Sequence, residues 1–392
     1  MSQSTHLDGP AMARSIRDVV SSHAGASEQA RTLVPEIVDA LWSSGLMQFM
    51  NPRAAGGHEP AFRELIDTWQ ELAWQDGSVG WISIANFPAT ALTAAYLPEA
   101  GFREVFGAND NNRSVLGGQF APNGLGQRVD GGYRLSGNWN FGSGTGHTNF
   151  VIGGFIPMHD GEMQMASHGL PQMLIAVFPR EQINFTDGWF VQGLKGTGSY
   201  DYNVQDVFVP DQRIFPLFTR TPLRGGSPYR FGVMPVTAAG HAAWALGVAR
   251  SALDDIRTLA LEKIRMGDTT TLAHKTTFQR NLAHHEGMWR AARLLVTETF
   301  GTLGEQVAAG VELSPAMRAE SRIAATYATD ACREVVHWAH LAAGTSAIRE
   351  GSRLERAFRD IYTGTQHTFI GEKTYTDSAQ VMLGLVEDSP GL

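Results

Sequence analysis

Histidine is the side chain of this sequence best suited to moving protons near neutral pH, and serine and threonine hydroxyls both donate and accept hydrogen bonds. His367 stands in Gly364-Thr365-Gln366-His367-Thr368, and Glu372 is the first carboxylate after it. Ser143 stands in Asn140-Phe141-Gly142-Ser143-Gly144, between glycines that leave the backbone open to close approach. Thr197 and Ser199 alternate with glycines in Lys195-Gly196-Thr197-Gly198-Ser199, a turn sequence. Other groups carry less. His284-His285-Glu286 sets neighbours about 100° apart on a helix, so they do not share a metal. His337 and His340 have i, i+3 spacing without an accompanying carboxylate motif, and no metal site is expected. Cys332, the single cysteine, cannot form an internal disulfide and sits in a helical pattern, where an inert thiol is expected. The glycine-rich run GGQFAPNGLG (117–126) lacks the strand-to-helix context of a dinucleotide site.

Three zones must position these groups. Across 11–107 apolar residues recur at helical spacing, as in Leu33, Ile37, Leu41 and Leu65, Trp69, Leu72, Ala73. This helical zone breaks at NPRAAGGHEP (51–60), and Asn86-Phe87-Pro88 is expected to kink or interrupt a helix at its centre. Between 111 and 223 the texture turns to short, nearly alternating runs such as Phe150-Val151-Ile152 and 202–209. Asp130-Gly131-Gly132 and Asp187-Gly188 separate them, which reads as a compact sheet or barrel. From Tyr229 onward four long helical stretches (242–262, 276–309, 315–344 and 369–385) predict a bundle. The division is therefore an N-terminal helical domain at 1–110, a central β domain at 111–223 and a C-terminal bundle at 224–392, an α+β chain.

Composition excludes whole classes of function. With 31 basic against 39 acidic residues the formal charge is −8, which disfavours a nucleic-acid surface. At 43% hydrophobic and 18% charged residues the chain is globular rather than disordered. No apolar run is long enough to span a membrane and the N-terminus has no signal-peptide pattern, so a cytoplasmic protein is expected. The segment TAAGHAAWALGVARSAL (237–253) is apolar around most of its circumference, which predicts a homo-tetramer or dimer with the bundle at its interface.

Two segments carry a resemblance that extends over nearly the whole chain. DGGYRLSGNWNFGSG (130–144) and WFVQGLKGTGSYDYNVQDVFVP (189–210) resemble consecutive flavin-site motifs of the acyl-CoA dehydrogenase superfamily, whose α, β, bundle order matches the three zones. Dehydrogenases of that superfamily place a glutamate base after an Arg-Asp pair. Here Arg359-Asp360 is followed by Gln366-His367-Thr368, so that base is missing and Glu372 is the remaining substitute. The Thr-Gly-x-Gln-His arrangement instead resembles the group D two-component flavin-dependent monooxygenases.

That resemblance implies an oxygenase component that takes reduced flavin, FMN or FAD, from a separate flavin reductase and uses O2 on a small apolar or aromatic substrate. It assigns proton handling to His367 and places Ser143 at the reactive edge of the flavin. Thr197 and Ser199 fall in the turn beside the flavin, Trp139 and Phe141 flank the ring, and Gln119 and Phe120 lie on a loop above it. The sequence departs from the family in two places. Gly80-Trp81 is followed by no histidine of the kind that pairs with a phenol, and Glu262-Lys263-Ile264-Arg265-Met266-Gly267 lacks the Arg-Phe element that helps hold FAD. The alternatives are a dehydrogenase or oxidase with bound FAD, and a non-catalytic flavin or acyl-ligand binding protein.

Overall fold

The computed structural model describes residues 8–107, 113–166, 169–186, 188–389 and 391–392. The boundary expected between 110 and 111, Asp187 of the Asp187-Gly188 turn and the first seven residues lie outside them. Six helices open the chain: α1 (Gly9–Ser15), α2 (Arg17–Ala30), α3 (Pro35–Ser43), α4 (Phe62–Gln75), α5 (Gly77–Tyr96) and α6 (Glu99–Phe106). The break at 51–60 holds, as a 3-10 turn at Arg53–Ala55 and a short irregular run. Pro88 does not break α5. That helix starts from Asp76, whose carboxylate accepts from the N–H groups of Ser78 and Val79 at 2.9 and 3.1 Å, and it is buried along almost its whole length. Proline withholds one ladder bond there, and packing on every side outweighs the loss.

The middle zone is one mixed sheet of β1 (Leu116–Val129), β2 (Gly132–Gly142), β3 (Phe150–His159), β4 (Glu162–Met163), β5 (Leu174–Pro179), β6 (Asn184–Thr186), β7 (Tyr200–Pro210) and β8 (Ile214–Pro216). The order is β6-β7-β2-β1-β3-β5-β8, with β4 added on β3, and β1 runs antiparallel to β2 but parallel to β3. Trp139 on β2 reaches Phe178 on β5, three places away, with ring centroids 6.0 Å apart. The sheet therefore curls like an open barrel around its own core of Leu135, Trp139, Val151, Phe155, Phe178 and Tyr202. The run at 117–126, expected as a loop, belongs to β1. The register against β3 shifts between Gln119 and Gly124, so this stretch is a bulge in a strand.

The bundle holds α7 (Val233–Glu262), α8 (Thr276–Ala308), α9 (Pro315–Ala343), α10 (Arg353–Gly364) and α11 (Lys373–Met382). The last stretch was expected as one helix over 369–385. It is α-helical only over α11, and the turn that carries His367 parts α11 from α10, a further helix that lies before the expected stretch. The oligomer argument from 237–253 also needs correction. α7 is the central helix of the chain's own core, packed by Leu72, Trp81, Val296, Val335 and Ile361, so its all-round apolar surface is explained without a second copy. That core joins the first and third zones, since it takes side chains from both sets of helices.

Candidate active site

Two turns of the sheet and one turn of the bundle converge on α5. The β2–β7 ladder loses register between Trp139 and Gly142, which frees the chain to turn at Phe141 (φ +62°) and Gly144 (φ +75°). Ser143 N–H donates to Phe141 O at 2.8 Å, and Gly144 N–H donates to Thr197 O at 3.0 Å, joining this turn to the next. The second turn bends at Leu194 and Gly198, both at φ +54°. Leu194 holds this conformation because its N–H donates to the buried Asp360 Oδ1 of α10 at 2.6 Å. Burial and the neighbouring Asp76 push the Asp360 carboxyl up to about 8. Asn86 of α5 supports the first turn, with Nδ2 donating to Leu116 O at 2.9 Å and Ser143 O at 3.4 Å. Its Oδ1 accepts from His147 Nε2 at 3.0 Å. Gly144 has no alternative here, because a Cβ would lie 2.1 Å from Asn86 Oδ1.

A chain of hydroxyls runs between the turns, and its direction follows from counting protons. Thr197 Oγ1–H donates to the carbonyl of Leu194 at 2.9 Å, which can only accept. The Thr197–Ser199 contact of 2.7 Å therefore uses the proton of Ser199, and the Ser199–Ser143 contact of 2.8 Å uses the proton of Ser143. Trp81 Nε1–H donates to Ser143 Oγ at 3.0 Å. Ser143 Oγ has thus spent its proton and retains only the capacity to accept.

On the other side of Trp81 stand two imidazoles. The Trp81 ring lies 5.2 Å from His241 of α7 and 5.9 Å from His367, and the two imidazoles are 4.4 Å apart. His241 Nδ1 is 2.7 Å from the carbonyl of Thr237, so it carries the proton, and Nε2 is a bare acceptor without a partner among the described residues. His367 is the reverse: Nδ1 accepts from Phe369 N–H at 3.2 Å, which leaves the proton on Nε2. Burial lowers His241 to about 4, and burial, His241 and Arg322 hold His367 well below its ordinary value. Both rings are neutral at physiological pH, one offering an acceptor and the other a donor. Gly364 makes this approach possible, since a Cβ there would lie 2.2 Å from Trp244 and 2.8 Å from Trp81.

The structure thus gathers Ser143, Thr197, Ser199 and His367 around Trp81. Gln119 sits on the rim, its side-chain amide donating to Asn140 O at 2.9 Å, and Phe120 packs half-buried against the main core. Phe141 is 61% exposed, edge-on to Trp189 at 6.2 Å. Trp139 is a correction. It points away from the site into the core of the sheet, stacks on Tyr202 and donates its indole N–H to Gly154 O at 3.0 Å. Glu372 is exposed at the start of α11. The sequence reading missed Asn86, His241, Arg322 and the role of Trp81. A histidine inside the apolar run 237–253 was the available signal for His241. At the departure over 262–267, Lys263 and Arg265 donate to the carbonyls of Ala343 and Ala342 at the end of α9. His285 stacks on Trp338, and Glu286 pairs with Arg250 and Arg290. His337 contacts the Tyr362 hydroxyl at 2.9 Å, and His340 stacks on Phe358. Among the described residues no group of His, Cys, Asp or Glu is arranged to hold a metal. No described helix is long and apolar enough to cross a membrane.

The family described as acyl-CoA dehydrogenase, C-terminal domain, matches residues 239–372. Indole-3-acetate monooxygenase of Pseudomonas putida is 30% identical over 369 residues, covering 92% of this chain and 90% of that protein. The flavin-dependent monooxygenase oxygenase subunit HsaA of Mycobacterium tuberculosis is 26% identical over 366 residues, 89% of this chain and 88% of that one. XiaF from Streptomyces sp., solved in complex with FADH2 and glycerol, superposes with a TM-score of 0.88 at 23% identity over 98% of this chain and 97% of its own. The chain belongs to the acyl-CoA dehydrogenase superfamily, in its branch of flavin-dependent monooxygenase oxygenase components.

Proposed function

We propose that this protein is the oxygenase half of a two-component system, drawing reduced flavin from a separate cytoplasmic reductase and using it with O2 on a small aromatic substrate. The observation that carries the reading is the one-way hydroxyl chain ending at Ser143. A reduced flavin bears an N–H at N5 where the oxidised ring has a bare nitrogen. A serine that can only accept suits the reduced form. The surroundings fit a flat ring: glycines at 142 and 144 keep the turn low, and Phe141 offers an exposed aromatic face. Ser143, Phe141 and the Thr197–Ser199 turn would hold the flavin, which when bound supplies the electrons that activate O2.

The chain's own residues then orient the substrate and manage its protons. His241 Nε2 accepts from a substrate N–H or O–H, while His367 Nε2–H donates to oxygen arriving at or leaving the ring. Their neutrality keeps one acceptor and one donor in place across the physiological range, and Trp81 separates them from the hydroxyl chain. Proton handling, assigned by resemblance to His367 alone, is here divided between two rings. The dehydrogenase alternative loses support because Glu372, the remaining candidate base, is exposed. We place a second copy of the chain against the exposed Leu294, Leu341, Met382 and Leu383 of the bundle, and FAD as the flavin, the form held by XiaF.

The test combines the protein with photoreduced FAD or FMN under 18O2, with indole-3-acetate and indole as probes. Products carrying one 18O support the reading. No label in any product, together with anaerobic bleaching of bound FAD by an acyl thioester, would replace it with the dehydrogenase.

A further inference from the structure

Arg322 of α9 is 3% exposed, yet most of its guanidinium has nothing to bond. Nη2 donates to Thr374 Oγ1 at 3.2 Å, while Nε and Nη1 have no hydrogen-bond partner among the described residues. Taking a charge out of water is costly unless a partner offsets it, so a buried guanidinium with unspent N–H groups marks a place where an anion is received. Asp377 is the carboxylate that acts on it electrostatically, and it is already bonded to Lys373 at 2.5 Å. Burial lowers Arg322 to about 10, which leaves it charged at neutral pH.

What surrounds the cation defines the rest of the ligand. Its Cζ stands 5.8 Å from the centroid of Phe369, which lies 4.9 Å from His367 and 6.2 Å from His241. Phe369 thus lies between Arg322 and the pair of neutral imidazoles, in contact with all three. We infer that Arg322 is a specificity residue that receives the carboxylate of an aromatic acid bound against Phe369 and the two imidazoles. A fork of N–H groups matches a carboxylate by two parallel bonds, a geometry lysine cannot reproduce. The inference rests on the monooxygenase reading and deepens it by naming the substrate class.

The probes are indole-3-acetate and its neutral isostere indole-3-acetamide, titrated calorimetrically against the wild-type protein, Arg322→Met and Arg322→Lys. The wild type is expected to prefer the acid, Arg322→Met to lose about a hundredfold for the acid with little change for the amide, and Arg322→Lys to fall between them. Equal binding of acid and amide by the wild type overturns the assignment, and so does binding of neither. An unaltered preference in a folded Arg322→Met overturns it too. If Arg322→Met instead loses reduced FAD while keeping its acid preference, the residue serves a cofactor phosphate and the assignment falls. Where Arg322→Met does not fold, the wild-type ratio and Arg322→Lys decide. Oxygenation of indole is followed in parallel. Indole turnover without acid preference sinks the Arg322 assignment alone, and acid preference without any oxygenation sinks the monooxygenase reading alone.

Discussion

Ser199→Ala is expected to weaken the protein's discrimination between reduced and oxidised flavin by changing where the Ser143 proton goes. In the wild type the proton of Ser143 goes to Ser199, because that of Ser199 goes to Thr197 and that of Thr197 to the Leu194 carbonyl. With alanine at 199 the Ser143 hydroxyl is released and can donate to a bare nitrogen as readily as it accepts from an N–H. The difference is one hydrogen bond made or mispaired, about 1.4 kcal/mol, or roughly tenfold in the ratio of the two dissociation constants. For a two-electron couple this is about 30 mV in the midpoint potential of the bound flavin. Anaerobic titration with photoreduced and oxidised flavin measures the ratio, and spectroelectrochemistry of the complex measures the potential. The wild type should bind the reduced form more tightly, and Ser199→Ala should close the gap chiefly by binding the oxidised form better. Thr197→Val should act likewise, since Ser199 can then turn its proton to Ser143 and free the serine from its fixed role. Unchanged ratios in both variants, or a Ser199→Ala protein that loses both forms equally, would refute the directional argument.

Three other outcomes follow from the geometry. His241→Asn and His367→Asn should each lower oxygenation by roughly a hundredfold while reduced-flavin binding stays within about twofold; a normal rate in His241→Asn returns proton handling to His367 alone. His147 and His241 are both held near 4, below the value of about 6.5 for an unfolded histidine. The unfolded chain thus binds more protons between about pH 4 and 6.5, so stability rises with pH across that window and is lost on acidification, by about 3 kcal/mol per histidine at pH 4. Denaturant melts at pH 7 and pH 5 in the Asp360→Asn background, which removes the opposing carboxyl, check the sign, and a flat profile there would contradict it. Asp360, pushed up to about 8, works in the opposite direction, its contribution diminishing as pH rises from about 4 to 8. Asp360→Asn should be mild at pH 7 because it resembles the protonated acid, whereas Asp360→Ala strips the acceptor from Leu194 N–H and should cost about 1–3 kcal/mol in a thermal or urea melt.

The order of helical zone, sheet and bundle was legible because periodicity and turn residues are local properties, readable from neighbours in the chain. The same holds for the turns at 140–144 and 193–199, whose glycines answer to positive φ and to close contacts at particular positions. Pro88 shows where local reading fails: its missing N–H argues for a break, and complete burial of α5 outweighs it. The helix 237–253 shows the same failure in reverse. An apolar circumference says that a helix is covered, and only the fold says that α4, α5, α8, α9 and α10 supply the cover. Trp139 and Phe141 differ by two positions and looked alike, but the register shift after Trp139 sends one into the sheet's core and the other to the surface. Arg322 was invisible as a site residue, and His241 showed only as a histidine in an apolar run, because they lie 45 and 126 positions from His367 in sequence. The protons of His241 and His367 follow from backbone groups four and two positions away, but which rings they face, and the spent proton of Ser143, depend on Ser199, Thr197 and Trp81 meeting from other elements.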